Sequence, residues 1–168
     1  IPLRLVGSEM CIRDRGYMGG TDDLRQEIVK WNGDRNNLDL NPDQLTISDG
    51  VYPGMIAAMR AFVPAGGKIL IISPAYSGFY TMARAANVGT VDSQMVIKNG
   101  RYEVDWDDLE AKMTSDVRLL IVCNPQNPTG NVWKSDELHR MGRLALEHNI
   151  VVLSDEIHAD VVLSLIHI

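Results

Sequence analysis

Val117-Arg118-Leu119-Leu120-Ile121-Val122-Cys123-Asn124-Pro125-Gln126-Asn127-Pro128-Thr129-Gly130 joins a strand to a turn, and each half carries its own signal. Val117 to Val122 is an almost unbroken apolar run containing β-branched residues. Such a run suits a strand covered on both faces, as in a parallel sheet. Two Asn-Pro pairs and a closing glycine then make a rigid turn. A turn so constrained can aim one amide side chain, here Asn127, into a site. Cys123, at the junction, reads as a small buried hydrophobe.

Further buried strands stand on either side. Lys68-Ile69-Leu70-Ile71-Ile72 and Ile150 to Leu153 have the same character. Amphipathic helices lie between them. Leu24, Ile28 and Trp31 recur at helical spacing over Asp22 to Trp31, with Thr21 as N-cap and Gly33 as stop. Met55 to Phe62, Tyr76 to Ala86 and Trp106 to Met113 read as helices. Ser135 to His148 is another, capped by Ser135, with Leu138, Met141, Leu144 and Ala145 on one face. Leu45-Thr46-Ile47 reads as a short strand, Val88 to Val96 as strand-like, and Asn99-Gly100 as a turn. Strands alternating with helices predict an α/β fold: a three-layer, doubly wound, mostly parallel sheet.

The composition fits a soluble globular domain. The chain has 168 residues, 45% of them hydrophobic and 23% charged, with a net charge of −6. No basic cluster offers phosphate contacts to a nucleic acid. No apolar run reaches the roughly 20 residues that span a bilayer. Two cysteines, Cys11 and Cys123, make no disulfide framework, which points to a cytoplasmic setting. Residues 1–15, which begin with Ile1 and include Met10-Cys11-Ile12-Arg13-Asp14-Arg15, resemble translated adapter sequence. Residues 163–168 resemble the same. Both ends are expected to be non-native, leaving 16–162 as one partial domain.

In open α/β sheets ligands bind beyond the carboxyl ends of the strands. Four segments occupy such positions. Ser48-Asp49-Gly50-Val51-Tyr52-Pro53 is a glycine turn entering a helix, a geometry that suits phosphate. Ser73-Pro74-Ala75-Tyr76 offers an aromatic ring for stacking, or a half-buried core tyrosine. Asn124 to Gly130 is the turn described above. Ser154-Asp155-Glu156-Ile157-His158-Ala159-Asp160 ends a buried strand with carboxylates. A buried carboxylate needs a cation, and a protonated ring nitrogen would supply one. A metal site is the rival reading, though strand alternation splits the ligand types between faces.

Taken together, these segments resemble the large domain of fold-type I pyridoxal 5′-phosphate (PLP) enzymes, the class I/II aminotransferases. The likeness is greatest to the cystathionine β-lyase (MalY/PatB-like) branch and covers residues 16–162. Its most specific parts are Asn124 to Gly130 and Ser154 to Asp160. The resemblance implies PLP as cofactor. Gly50, Val51 and Tyr52 would hold its phosphate, Tyr76 would stack on its ring, and Asn127 would bond the phenolic oxygen. Asp155 would pair with the ring nitrogen, and His158 would stand close by. Tyr17 would reach the phosphate in a neighbouring subunit, implying a homodimer.

The family's Schiff-base lysine lies beyond the Asp155 segment and matches no lysine here. The chain by itself is therefore expected to be inactive, and to be poorly soluble because sheet and dimer surface stand open. The parent is expected to act on amino acids as a C–S β-lyase. The alternatives are an aminotransferase and a non-catalytic regulatory domain of aminotransferase type.

Overall fold

The computed structural model describes residues 21–162. The chain divides between Asp49 and Gly50 into two units. In the first unit, α1 spans Asp22–Asn36 and a 3-10 turn spans Pro42–Gln44. The Thr21 side chain caps α1 by accepting from the Leu24 amide. The expected stop at Gly33 is not used. The helix runs three residues further, and Asn37 ends it in the left-handed conformation, at φ 50°. Among ordinary residues, asparagine enters that region most readily. Leu45-Thr46-Ile47, expected as a strand, is not one. Leu45 is the extended cap of the 3-10 turn. Among the described residues no neighbour completes a ladder along so short a segment.

The second unit holds α2 (Val51–Phe62), β1 (Lys68–Ser73), α3 (Gly78–Ala86), β2 (Gly89–Gln94), β3 (Val96–Lys98) and β4 (Arg101–Glu103). It continues with α4 (Trp106–Ala111), β5 (Val117–Cys123), α5 (Ser135–Glu147), β6 (Val151–Asp155) and a 3-10 turn at Ala159–Val161. Strands β2-β1-β5-β6 form one sheet in that order, all parallel. The α/β architecture expected from the sequence is thus present. The stretch Val88 to Val96 divides: β2 joins the main sheet, whereas β3 pairs antiparallel with β4 across the Asn99-Gly100 turn. Asn99 and Gly100 both have positive φ, as a tight hairpin turn requires.

Alternation along β1 and β5 feeds two cores. Leu70, Ile72, Leu120 and Val122 face α4 and α5, where Leu109, Met141, Leu144 and Ala145 close over them. Ile69, Ile71, Leu119, Ile121 and Cys123 face α2 and α3, against Met55, Met59, Phe79 and Met82. Each such side chain contributes about 1.5–3 kcal/mol by leaving water. This is why the central strands are apolar along Ile69 to Ile72 and Leu119 to Cys123, while the helices are apolar on one stripe only. Strand β6 departs from the expected third buried strand. Among the described residues it pairs only with β5, and Val151 and Val152 are about two-fifths exposed.

Several helix ends move from their expected places. Helix α2 begins at Val51 rather than Met55. Helix α3 begins at Gly78, leaving Tyr76 in the preceding loop. Ser135 is the first residue of α5 and Lys134 its cap; the Glu137 carboxylate accepts from the Lys134 amide at 2.7 Å.

Candidate functional site

Gly50 is the N-cap of α2, with φ 124° and ψ 171°. A side chain there has room, the nearest atom being Pro53 Cδ at 4.0 Å, so the requirement is conformational rather than spatial. No side chain caps this helix. The first-turn amides of Val51 and Tyr52 have no partner within the helix, and the positive end of the helix dipole lies behind them. The arrangement suits an anion.

The loop after β1 carries Tyr76, whose ring meets Phe79 edge-on at 5.6 Å between centroids. The ring lies over Gly78. A β-carbon at Gly78 would fall 2.1 Å from Tyr76 Cε1 and 2.6 Å from Cζ. Gly78 therefore makes the floor on which the ring rests. Tyr76 is 44% exposed, an accessible ring rather than a core residue.

The loop after β5 is braced from several sides. The Asn124 side chain accepts from the Trp133 amide at 3.1 Å, and Trp133 Nε1 donates to the Cys123 carbonyl at 2.8 Å. Gln126 is buried, and its side-chain Nε2 donates to the carbonyls of Ile72 (3.0 Å) and Pro74 (2.9 Å). Asn127 follows directly on this anchored residue.

Asp155 ends β6 opposite Cys123 in the sheet register. It is only 9% exposed. Its Oδ1 accepts from the Ile157 amide at 3.2 Å, and Cys123 Sγ lies 3.9 Å from its Oδ2. Among the described residues it enters no ion pair with a cationic side chain. Burial pushes the Cys123 thiol up from its usual range, and the Asp155 charge adds to the effect. The thiol therefore stays protonated beside the carboxylate. Glu156 and Asp160 are exposed. Among the described residues no group of three or more His, Cys, Asp or Glu side chains is placed to hold a metal ion.

These pieces meet. Val51, Tyr52, Tyr76, Cys123, Asn127, Asp155, Ile157 and His158 line one cavity of about 360 Å³. A second cavity of about 880 Å³ shares Asn127 and His158 with it, and Arg101 and Lys134 stand on its wall. The smaller one has three qualities: helix amides for an anion, an aromatic ring for a flat molecule, and a buried carboxylate for a cation. Of the residues expected at the site, Gly50 directly precedes this lining, and Tyr17 lies outside the described residues.

The family model for aminotransferase class I and II matches residues 12–166. The chain belongs to this family. It is 34% identical over 149 residues to the cystathionine beta-lyase PatB of Bacillus subtilis, covering 88% of this chain and 38% of PatB. A bifunctional aspartate and glutamate/aspartate-prephenate aminotransferase of Petunia hybrida is 33% identical, over 85% of this chain and 30% of its own. Among solved structures, cystalysin from Treponema denticola, which contains a pyridoxal 5′-phosphate cofactor, superposes with a TM-score of 0.81. It shares 32% identity, over 86% of this chain and 38% of that one. The chain thus spans less than two-fifths of the length of these relatives.

Within this class I and II framework, sequence reasoning missed two residues that shape the cavity. Gly78 supports Tyr76, and Gln126 ties the β1 loop to the β5 loop. For Gly78 a signal was present, a glycine two residues after an aromatic. For Gln126 the partners lie 54 and 52 residues away, and no local pattern announces them.

Proposed function

We propose that this chain forms the pyridoxal 5′-phosphate pocket of a C–S β-lyase, which converts cystathionine or a related cysteine S-conjugate to a thiol, pyruvate and ammonia. The observation that carries the cofactor reading is Asp155: a carboxylate 9% exposed, in a cavity, with no cationic side chain paired to it among the described residues. Burying a lone carboxylate is costly, and a protonated aromatic nitrogen offsets that cost. The same cavity is lined by Val51 and Tyr52 of the anion-seeking helix start, and Tyr76 stands on its wall. A flat ring bearing a phosphate and a basic nitrogen matches all three features. When bound, the cofactor withdraws electrons from the carbon that loses its proton.

The roles of the chain's own residues follow. Gly50 presents the amides of Val51 and Tyr52 to the phosphate. Tyr76 covers one face of the ring and keeps water from it. Asn127 donates to the phenolic oxygen. Asp155 holds the proton on the ring nitrogen, and the neutral Cys123 thiol beside it adds no second negative charge. His158 lies on the same cavity wall.

The choice of lyase rests on similarity to PatB and to cystalysin. Transamination by the same cofactor is the second reading, favoured by the Petunia relative. The proposal includes a cytoplasmic homodimer, in which Tyr17 reaches the neighbouring subunit's phosphate; family resemblance supports this part. Full-length protein incubated with cystathionine is expected to release pyruvate without any added 2-oxo acid. Turnover that requires a 2-oxo acid and releases no pyruvate would replace the lyase with the aminotransferase.

A further inference from the structure

We infer that Gln126 is a positioning residue that sets the gap between Tyr76 and Asn127, and through it the hold on the cofactor ring. The inference rests on the cofactor reading above. Gln126 is 3% exposed and lines the larger cavity rather than the proposed ring pocket. Its amide NH2 spends both hydrogens on main-chain carbonyls of the neighbouring loop, Ile72 at 3.0 Å and Pro74 at 2.9 Å. Two carbonyl acceptors leave one orientation open to the amide, because only its nitrogen can donate.

The backbone of Gln126 is fixed as well. Its N–H donates to the Asn131 carbonyl at 2.7 Å, and its own carbonyl accepts from the Gly130 amide at 2.7 Å. The residue is thus fastened to its own turn by its main chain and to the β1 loop by its side chain. Tyr76 lies two residues beyond one strapped carbonyl, and Asn127 is the next residue after Gln126. Both side chains line the cavity. A change at Gln126 therefore moves the ring end of the site. The phosphate end hangs instead on α2, held by Met55 and Met59 packing into the sheet.

That division gives the test. Apo full-length protein is titrated with pyridoxal 5′-phosphate, followed by absorbance, and separately with inorganic phosphate. Wild type is compared with Gln126→Glu, which cannot donate at neutral pH, and with Gln126→Met, which keeps the length without polarity. Both variants are expected to bind pyridoxal 5′-phosphate about tenfold more weakly, the scale of one lost buried hydrogen bond. The absorption band of the bound cofactor shifts in both, while affinity for inorganic phosphate stays unchanged. Acidification returns a donor to Gln126→Glu by protonating its carboxyl. Its deficit relative to wild type then shrinks, and that of Gln126→Met does not.

The inference is overturned if both variants keep wild-type affinity and spectrum. It is equally overturned if affinities for cofactor and for phosphate fall together in step with Tm, since that marks a general loss of fold. Wild type that binds phosphate but no pyridoxal 5′-phosphate overturns the cofactor reading first, and this inference with it. Should Gln126→Glu fail to fold, Gln126→Met alone decides between these outcomes.

Discussion

Tyr76 and Gly78 show how one absent atom places an aromatic ring on a cavity wall. The Tyr76 ring occupies the space where a β-carbon of residue 78 would stand. Gly78→Ala is expected to turn the ring out toward solvent, because a tyrosine side chain can swing and the helix backbone cannot. Fold stability should change little, while cofactor affinity falls by about 1 kcal/mol, the worth of an aromatic contact. Paired thermal melts and cofactor titrations separate the two effects, and a large drop in Tm with intact affinity would count against this reading.

Asp116 offers a second test at the scale of one residue. Its hydrogen bond to Lys68, at 2.7 Å, holds its carboxyl down at about 2, with Thr114 assisting. A lowered carboxylate contributes stability that is present above the ordinary value of 3.8 and is lost as pH falls toward about 2. Both groups are exposed, so the effect is small. Wild type should lose more stability than Asp116→Asn over that acid range in urea titrations. Identical acid profiles would show that the pair contributes nothing.

At the scale of elements, helix α2 is the informative case. Its N-cap is glycine at φ 124°, with no capping side chain. Stability alone would favour Ser, Asp or Asn there. Gly50→Ala places a β-carbon on a backbone that ordinary residues rarely adopt, at a cost of about 1–3 kcal/mol. Inorganic phosphate binding should weaken as well, read by titration of the apo protein. An unchanged phosphate affinity would move the anion site elsewhere.

Elements also divide into those legible from sequence and those that were not. The central strands were legible because burial on both faces leaves only apolar residues, as in Leu119 to Val122. Helix α5 was legible because its stripe of Leu138, Met141, Leu144 and Ala145 meets one core. The ends of helices were less so. Asn37, rather than Gly33, stops α1, and a left-handed asparagine differs little in sequence from any other. Leu45 to Ile47 shows the limit for short apolar runs, since a strand is defined by a neighbour that the run itself does not contain. The cavity wall was readable where the side chains sit at a strand's carboxyl end or in the turn that follows it, as with Asp155 and Asn127. It was hidden where a side chain reaches across the fold, as Gln126 does.

At the scale of the molecule, the open side of the sheet has consequences. In β6 and just after it, the apolar residues Val151, Val152, Ile157, Val161 and Val162 are exposed, and among the described residues β6 is paired on one side only. Such edges seek partners. The 168-residue chain on its own is expected to self-associate, with light scattering giving a mass above 18.7 kDa. A monodisperse monomer that melts cooperatively would show that this surface is tolerated in water.

Whether the pocket keeps its buried carboxylate for a cationic ring is decided by Asp155→Asn in the apo full-length protein. Two quantities are read together, the Tm without cofactor and the affinity for pyridoxal 5′-phosphate. The two are expected to move with opposite signs. Removing a buried carboxylate that has no cationic partner among the described residues raises Tm, and losing the partner of the ring nitrogen weakens cofactor binding by about 1.5–3 kcal/mol. A variant that binds the cofactor as tightly as wild type, whatever its Tm, would contradict the claim.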